Sequence, residues 1–462
     1  MRVNRQSSPK MRRVSRAVTV GYAAGSVGTG GFGVLPGLVL GYYLTDTLGV
    51  AAIVASAVVV LPKIMDVVLD PWIGAFSDRM AARRGTRARL MLLGAVSLPA
   101  VFVLTFAAPP VIGAAAGAVW VLVFFLLSAV AYSLFQVPYI ALPAELTADY
   151  DERTRLISIR IAVLALTILV VGAGVPAIRD AFGGDAAGYV VMAIVVAAVI
   201  CAGMLAATLL AARRALPFAP GRELGSGAAV AYRDGLDALR TVRRFRILVM
   251  VFVIQALASA VMLAGAQYVA TYVLDDEGAL TVLFAALVAP ALLVMPLWYR
   301  FATRRGKVRG LVAASSVFVC ATTALVVATW LPGWWIYLAV GVAGVGYAGM
   351  QAFPLAMLPD VIDFDARREG RERGGALAGV WTAAETAGLA LGPAVFLLAL
   401  AIGGFVSSSG DEVVAQPDSA VTAIALAFSA VPAVLVASSI WLLRGYREND
   451  SDSHIEGEVI DA

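Results

Sequence analysis

The sequence predicts an all-α membrane protein in which twelve transmembrane helices form two six-helix bundles. Its composition is 61% hydrophobic and only 14% charged, whereas soluble proteins are typically about 25% charged. A spanning helix needs about 20 mostly apolar residues, and the 462 residues hold twelve such stretches. The polar segments between them differ in charge from one side to the other, as membrane topology requires.

The apolar stretches are continuous and lack the alternating pattern of a membrane β-barrel, so we expect helices. The predicted spans are 17–44, 49–76, 90–109, 112–144, 156–177, 187–212, 246–274, 279–302, 309–330, 332–358, 375–404 and 420–444.

Basic residues concentrate in every second polar segment. They are dense at the N-terminus, after the second, eighth and tenth predicted helices, and in the middle loop. On the other side Arg179 stands alone among acidic residues. The positive-inside rule therefore places both termini in the cytoplasm. A charge that follows topology in this way is no sign of nucleic-acid binding.

The polar stretch in the middle divides the chain into two similar halves. ARRGTR at 82–87 matches TRRGKV at 303–308, and PYIALP at 138–143 matches PLAMLP at 354–359. Parallel repeats of this kind are typical of the major facilitator architecture. The predicted divisions are a basic N-terminus (1–16), a first bundle (17–212), a middle loop (213–245), a second bundle (246–444) and a disordered tail (445–462).

The second predicted helix carries three ionisable side chains within an apolar stretch. Lys63, Asp66 and Asp70 are three and four residues apart, so a helix projects them onto one face. Charge at membrane depth is costly and usually marks an ion or substrate path. The pattern indicates a cation site; the alternative is a structural ion pair of the carboxylates with Lys63 or Arg160.

The repeat shows that this acidic pair belongs to one half of the chain. At the offset of 221 residues given by the first match, Asp66 and Asp70 correspond to Leu287 and Ala291. Because a purely architectural role would more readily recur in both halves, the asymmetry favours a functional role.

Two motifs resemble one transporter family. D-x3-D-P-x2-G-x2-[SN]-D runs from Asp66 to Asp78, and L-P-D-V-x-D runs from Leu358 to Asp363. Together they resemble the glycoside–pentoside–hexuronide:cation symporters, the melibiose-permease-like branch of the major facilitator superfamily. The resemblance implies that Asp66 and Asp70 bind Na⁺ or H⁺ together with Ser133.

The same resemblance nominates substrate-site positions and shows where this chain departs from the family. Arg160 and Lys63 match basic family positions near the cavity. Gly30, Gln136 and Ile140 stand where sugar-transporting members carry two aspartates and a tryptophan. The cation machinery is thus kept while galactoside recognition is lost, which suits a modified glycoside or a lysolipid-like amphipathic substrate.

The second half offers weaker substrate candidates. Glu385 lies in a helix of small residues, where it either faces the cavity or bonds a neighbouring helix. Tyr347 and Trp381 are candidates for stacking on a sugar ring, although packing and interfacial belts explain most such aromatics. Further aromatic candidates are Tyr22, Tyr132, Tyr139 and Tyr268.

Charged residues at the predicted cytoplasmic helix ends resemble the family's gating networks, which close one side during alternating access. Simple topogenic charge explains the arginines but not their acidic neighbours. The candidates are Asp78, Arg79 and Arg87 in the first half and Asp360, Asp363 and Arg371 in the second.

The predicted function is cation-coupled symport of a sugar, glycoside or related small molecule by a multi-pass cell-membrane protein. No nucleotide-binding motif such as G-x4-G-K-[ST] is present, so an ion gradient is the expected energy source and Na⁺ or H⁺ the only cofactor. Proton-coupled efflux is an alternative. An enzyme is disfavoured because the only histidine, His454, lies in the tail. We expect a monomer whose partners are the bilayer and a small-molecule substrate.

Overall fold

The computed structural model describes residues 14–147, 150–214, 228–276, 278–369, 374–408 and 414–447. The predicted gating residue Arg371 and the predicted disordered tail from 448 onward lie outside the described residues, as does most of the basic N-terminus. The side chains of Asp78 and Asp363 are likewise outside the description.

Among the described residues, twelve helices are long and apolar enough to cross a membrane, which confirms the predicted fold class. The first bundle contains α1 (Arg16–Leu40), α2 (Ala52–Arg84), α3 (Ala88–Thr105), α4 (Gly113–Ala141), α5 (Tyr150–Ala181) and α6 (Ala186–Arg214). The second contains α7 (Arg243–Tyr272), α8 (Ala279–Arg305), α9 (Lys307–Thr329), α10 (Trp335–Glu369), α11 (Gly374–Gly403) and α12 (Asp418–Tyr446).

Both termini reach the same face of the molecule because the number of spans is even. We call this the terminal face and the other the opposite face; which of them is cytoplasmic stays a prediction. Several helices continue beyond the predicted apolar spans, and α2 ends at Arg84 rather than near residue 76. Gly85, with φ of 69°, stops α2 there and donates its N–H to the Ala81 carbonyl at 2.7 Å.

The two bundles repeat the same helix packing. In the first bundle α1 packs on α5 and α6, α2 on α4, and α3 on α4 and α6. In the second bundle α7 packs on α11 and α12, α8 on α10, and α9 on α10 and α12. Between the bundles, α2 meets α11 and α5 meets α8, so these two seams are related by the same repeat.

Small residues permit the closest of these contacts. A Cβ on Gly94 of α3 would lie 2.7 Å from the Ala131 carbonyl oxygen of α4. A Cβ on Gly346 of α10 would lie 2.7 Å from the Ala314 carbonyl oxygen of α9. Membrane helices pack through such small residues because lipid supplies no hydrophobic drive between them.

Part of the predicted middle loop is helical. Ala228–Thr241 forms a helix that packs on α7 and α11 at the terminal face. Its buried Ala238 joins a hydrophobic cluster with Phe245 of α7 and Leu377 of α11.

Candidate cation and substrate site

The α2 residues predicted to bind a cation form a charged group on one side of the helix. Asp66 is 7% exposed, and Lys63 Nζ lies 3.5 Å from its Oδ2. Asp70, one turn further on, is half-buried and interacts electrostatically with both Asp66 and Lys63. The Lys63 ammonium also lies 5.8 Å from the centre of the Phe32 ring of α1.

The packing of α2 on α4 brings Ser133 to this group. Ser133 is buried, and its side-chain hydroxyl interacts with the Asp70 carboxylate. The Oδ1 atom of Asp70 is buried and has no hydrogen-bond partner among the residues that the structure describes. Two carboxylates and a hydroxyl form the hard oxygen donor set that an alkali cation or a proton prefers.

Lys63 is a built-in competitor for that cation. At 3.5 Å and an effective dielectric constant of about 20, the attraction between its ammonium and Asp66 is on the order of 4–5 kcal/mol before desolvation is counted. The pair is therefore stable without a bound cation. A cation that binds Asp66 has to replace this interaction.

Arg160 lies in an aromatic pocket formed by α1 and α4. Its guanidinium is 5.0 Å from the centre of the Tyr139 ring. The Tyr139 hydroxyl donates to the Tyr22 carbonyl at 2.6 Å and lies 3.1 Å from the Ser26 hydroxyl. Within the described chain, Arg160 Nε is buried without a hydrogen-bond partner, and the Tyr22 hydroxyl interacts with the Arg160 side chain. Arg160 Nε stands ready for a polar ligand because leaving it unpaired is costly.

Tyr132 of α4 connects the Arg160 pocket to the carboxylates. It interacts electrostatically with Arg160, Asp66 and Asp70. Its ring stacks on Phe32 at a centroid distance of 4.8 Å. The sequence named Tyr132 only as an aromatic candidate, and Phe32 was missed because a phenylalanine in the GSVGTGGFG segment carries no signal beyond packing.

The other substrate-site candidates of the first bundle, Gly30, Gln136 and Ile140, do not lie in one common environment. Gly30 is buried against α5, where an added Cβ would lie 3.0 Å from Leu164 Cδ1 and 3.3 Å from Thr167 Cβ. Gln136 Oε1 is buried and lacks a hydrogen-bond partner among the described residues. Ile140 is 48% exposed near the terminal face. Gly30 thus mediates a helix contact here, whereas Gln136 presents a free acceptor.

In the second bundle, Tyr347 and Glu385 lie together and Trp381 is packed elsewhere. Tyr347 interacts with Glu385 across the α10–α11 contact. Trp381 is 3% exposed, and Phe252 covers one face of its indole at a centroid distance of 4.2 Å. Trp381 belongs to the hydrophobic cluster that holds Phe245 and Leu377, while its Nε1 is buried without a hydrogen-bond partner among the described residues.

Each bundle holds an ion pair at the equivalent place on the terminal face. In the first, Arg87 Nε bonds Glu145 Oε1 at 2.5 Å and its Nη1 donates to Ser77 Oγ at 2.9 Å. In the second, Lys307 Nζ lies 2.6 Å from Asp360 Oδ2.

The sequence pointed to Arg87 and Asp360 but missed their partners. Glu145 follows the PYIALP segment and Lys307 lies within TRRGKV, but the repeat matches them with Val361 and Thr86, so it did not identify either pair. Arg79 is exposed at the same face.

The fold and site together define a class: a membrane transporter built from two repeated helix bundles, with a pair of carboxylates and a lysine on one helix of the first. A family model described as MFS/sugar transport protein matches residues 21–450. The chain belongs to this family. It is a multi-pass integral protein of the cell membrane and a transporter rather than an enzyme.

Two curated relatives match over more than nine-tenths of their length. YagG of Escherichia coli (strain K12), named provisionally as a glycoside/cation symporter, is 26% identical over 454 residues, covering 96% of this chain and 94% of the relative. YnaJ of Bacillus subtilis (strain 168), named as an uncharacterized symporter, is 24% identical over 439 residues, covering 93% and 91%.

Solved structures share the fold at low sequence identity. The nucleoside transporter NupG superposes with a TM-score of 0.65 at 12% identity, covering 94% of this chain and 98% of NupG. A D-xylose-proton symporter gives a TM-score of 0.63 at 16% identity, covering 83% and 89%. These likenesses establish the major facilitator architecture.

Proposed function

We propose that this protein is a symporter that couples Na⁺ or H⁺ to the uptake of a glycoside or related sugar. One observation carries the proposal: Asp66 and Asp70 lie together within the membrane span, next to Ser133 and paired with Lys63. The symporter names of the relatives support coupling to a cation, and the name of YagG supports a glycoside substrate.

The charges suggest an order of events. Without a cation, Lys63 neutralises Asp66. A cation binding at the carboxylates releases the ammonium, which then turns toward the aromatic wall or the substrate. Because Tyr132 interacts with both the carboxylates and Arg160, cation binding changes the field at the substrate pocket. Linkage requires the reverse effect of equal size, so each ligand raises the affinity for the other.

The substrate pocket offers polar groups beside aromatic rings. Arg160 Nε and Gln136 Oε1 are buried and lack hydrogen-bond partners among the described residues. Donors and acceptors next to Tyr132 and Tyr139 suit the hydroxyls and the apolar face of a sugar ring. A single amide in place of two family carboxylates favours a modified glycoside over a simple galactoside.

The experiment begins with purified wild-type protein and finds the substrate by screening. A panel of glycosides, free sugars and lysolipids is screened by thermal shift with and without Na⁺ and at two pH values. A compound that stabilises the protein more in the presence of the cation is then tested in proteoliposomes under an imposed inward Na⁺ or H⁺ gradient.

We expect accumulation of a glycoside above equilibrium under one of the two gradients and none without a gradient. Cation-dependent stabilisation by lysolipids alone would instead identify an amphipathic substrate. Substrate extrusion driven by an inward proton gradient would replace symport with efflux.

The orientation and oligomeric state belong to the same proposal. Exposed arginines in the last turns of two helices lie on the terminal face: Arg83 and Arg84 of α2, and Arg304 and Arg305 of α8. The positive-inside rule makes this the cytoplasmic face. We expect a functional monomer, because both halves of the cavity come from one chain.

A further inference from the structure

The last two turns of α7 present a polar seam to the other bundle. Gln267, Tyr268, Thr271 and Tyr272 follow one another at spacings that share one face of a helix. Gln267, Tyr268 and Thr271 are at most 7% exposed. Each of the four residues takes part in a hydrogen bond to the first bundle, so the seam lies at the opposite face between the bundles.

Arg179, the lone basic residue of the acidic side in the sequence, is the charged member of this seam. It lies in the last turn of α5 and is 1% exposed. Its Nε donates to Asp180 Oδ1 at 2.7 Å, and its Nη1 donates to the Tyr189 hydroxyl at 3.2 Å. Both partners belong to the first bundle and hold the guanidinium in place. Nη1 then reaches across the seam to Gln267 Oε1 at 3.2 Å.

Gln267 closes a ring of bonds back to the first bundle. Its Nε2 donates to the Thr271 hydroxyl at 3.1 Å, and that hydroxyl bonds the Tyr42 hydroxyl at 3.2 Å. The Tyr42 ring in turn faces the Arg179 guanidinium at 5.8 Å. Gln267 thus bonds the first bundle directly through its carbonyl and indirectly through its amide.

A second part of the seam lies beside the first. The Thr45 and Tyr268 hydroxyls are 2.7 Å apart, and the Tyr272 hydroxyl donates to the Asp46 carboxylate. The Ser408 hydroxyl, between α11 and α12, donates to the Asp46 carbonyl at 3.2 Å. Together with the Arg179 ring, these contacts form a continuous polar layer between the bundles.

A polar layer suits a contact that has to open and close repeatedly. When the bundles separate, water replaces each lost hydrogen bond, so the net cost is far smaller than the gross strength of the bonds. A charged donor contributes about twice as much as a neutral one. Two contacts across the seam have an ionised partner, Arg179 with Gln267 and Tyr272 with Asp46, and we expect both to contribute more than the neutral contacts of the layer.

We propose that Arg179 and Gln267 are positioning residues for transport, whose bond latches α5 to α7 and sets how often the opposite face opens. The latch lies apart from Asp66, Asp70 and the Arg160 pocket and contacts neither ligand. It regulates access and needs no particular substrate, so it goes beyond the function proposed above.

The chain offers a matched control on the same helix. Gln255 of α7 is 2% exposed, and its Nε2 donates to the hydroxyls of Ser315 and Ser439 at 2.9 and 3.0 Å. Both partners belong to the second bundle. Gln255→Leu therefore removes the same kind of buried amide without touching the seam.

The experiment measures the separation of the bundles directly. Spin labels are placed at Phe182→Cys and Val282→Cys, which are 58% and 51% exposed at the opposite face on different bundles. Cys201 and Cys320 are first replaced by alanine. Distance distributions by double electron–electron resonance are then compared in lipid nanodiscs for Gln267→Leu, Gln267→Glu and Gln255→Leu, with no substrate added.

We expect Gln267→Leu to raise the ratio of open to closed molecules by about tenfold, because the closed state loses one hydrogen bond to a charged group. Gln267→Glu gives Arg179 an ionised acceptor and should lower the ratio below that of the unsubstituted background. Gln255→Leu should leave the distribution unchanged.

The proposal is overturned if both Gln267 variants show the background distribution, or if Gln255→Leu opens the face as much as Gln267→Leu does. If Gln267→Leu does not fold, Gln267→Glu decides alone, because a merely structural role for Gln267 predicts no shift toward the closed state. Failure here leaves cation coupling at Asp66 and Asp70 untouched, since the measurement involves neither ligand.

Discussion

The two bundles share their packing and their terminal-face ion pairs but not their membrane-embedded charges. The helix contacts of one bundle reappear in the other, and Arg87–Glu145 and Lys307–Asp360 occupy corresponding places. The carboxylates of α2 have no counterpart, because Leu287 and Ala291 stand at the equivalent positions of α8. The repeat thus preserves the packing of the scaffold, while the carboxylate pair of α2 occurs in the first bundle alone.

The ion pairs show how equivalent places differ in environment. Arg87 and Glu145 are 7% and 10% exposed, whereas Lys307 and Asp360 are 41% and 56% exposed. A buried pair is costly to break because one charge is left uncompensated. An exposed pair contributes little. The first bundle is therefore the more tightly fixed at this face.

The largest expected effect comes from removing the charges that only the first bundle has. Asp66→Asn and Asp70→Asn should each abolish gradient-driven accumulation, because the cation loses an ionised ligand. Proteoliposome uptake of a glycoside identified by the screen measures this. Asp418→Asn, an exposed carboxylate at the start of α12, is the matched control and should transport normally. Accumulation by both α2 variants would move the cation site elsewhere.

The second effect separates the two terminal-face pairs. Arg87→Gln should lower the free energy of unfolding by about 3–5 kcal/mol, the cost of breaking a buried pair. Lys307→Gln should cost about 0–1 kcal/mol. Thermal unfolding of the purified variants in one detergent measures the difference. Equal losses of stability would mean that burial does not distinguish the pairs.

The third effect concerns the competitor on α2. Lys63→Gln removes the ammonium that a cation has to displace from Asp66, so the affinity for the coupling cation should rise by about tenfold or more. The cation concentration that gives half-maximal stabilisation by a glycoside is the measurement. Lys307→Gln again serves as the control. A weaker cation affinity in Lys63→Gln would assign Lys63 a role in binding rather than in competition.

Hydropathy and the repeat together predicted the helices, the bundles and the place of the carboxylate pair. The same reasoning missed the ends of α2 and α10, because a helix continues through polar turns once it leaves the membrane. Glu145 was missed as the partner of Arg87 since pairing depends on tertiary contact. The role of Trp381 in stacking on a sugar stays a prediction: Phe252 covers one face of its ring, a contact that no sequence pattern indicated.

The smallest effect concerns substrate recognition within the first bundle, where Gln136 replaces a carboxylate. Melibiose should not bind measurably to the wild-type protein in isothermal titration. Gln136→Asp should strengthen the binding of melibiose by up to about tenfold, because the carboxylate adds one charged hydrogen bond. Gln255→Asp is the control and should not help, because the partners of Gln255 lie within the packing of the second bundle. Tight binding of melibiose to the wild type would show that other residues grip the galactoside.

The central claim is that one coupling cation binds per chain, in the first bundle alone. Bound radioactive sodium is counted by equilibrium dialysis on the wild type and on the Asp66→Asn/Asp70→Asn double variant. If sodium does not bind, the protons that each protein takes up on acidification are counted instead. The number of coupling protons is then the uptake of the wild type minus that of the double variant. We expect one cation per wild-type chain and none in the double variant. Two cations per chain, or one retained by the double variant, would contradict the account.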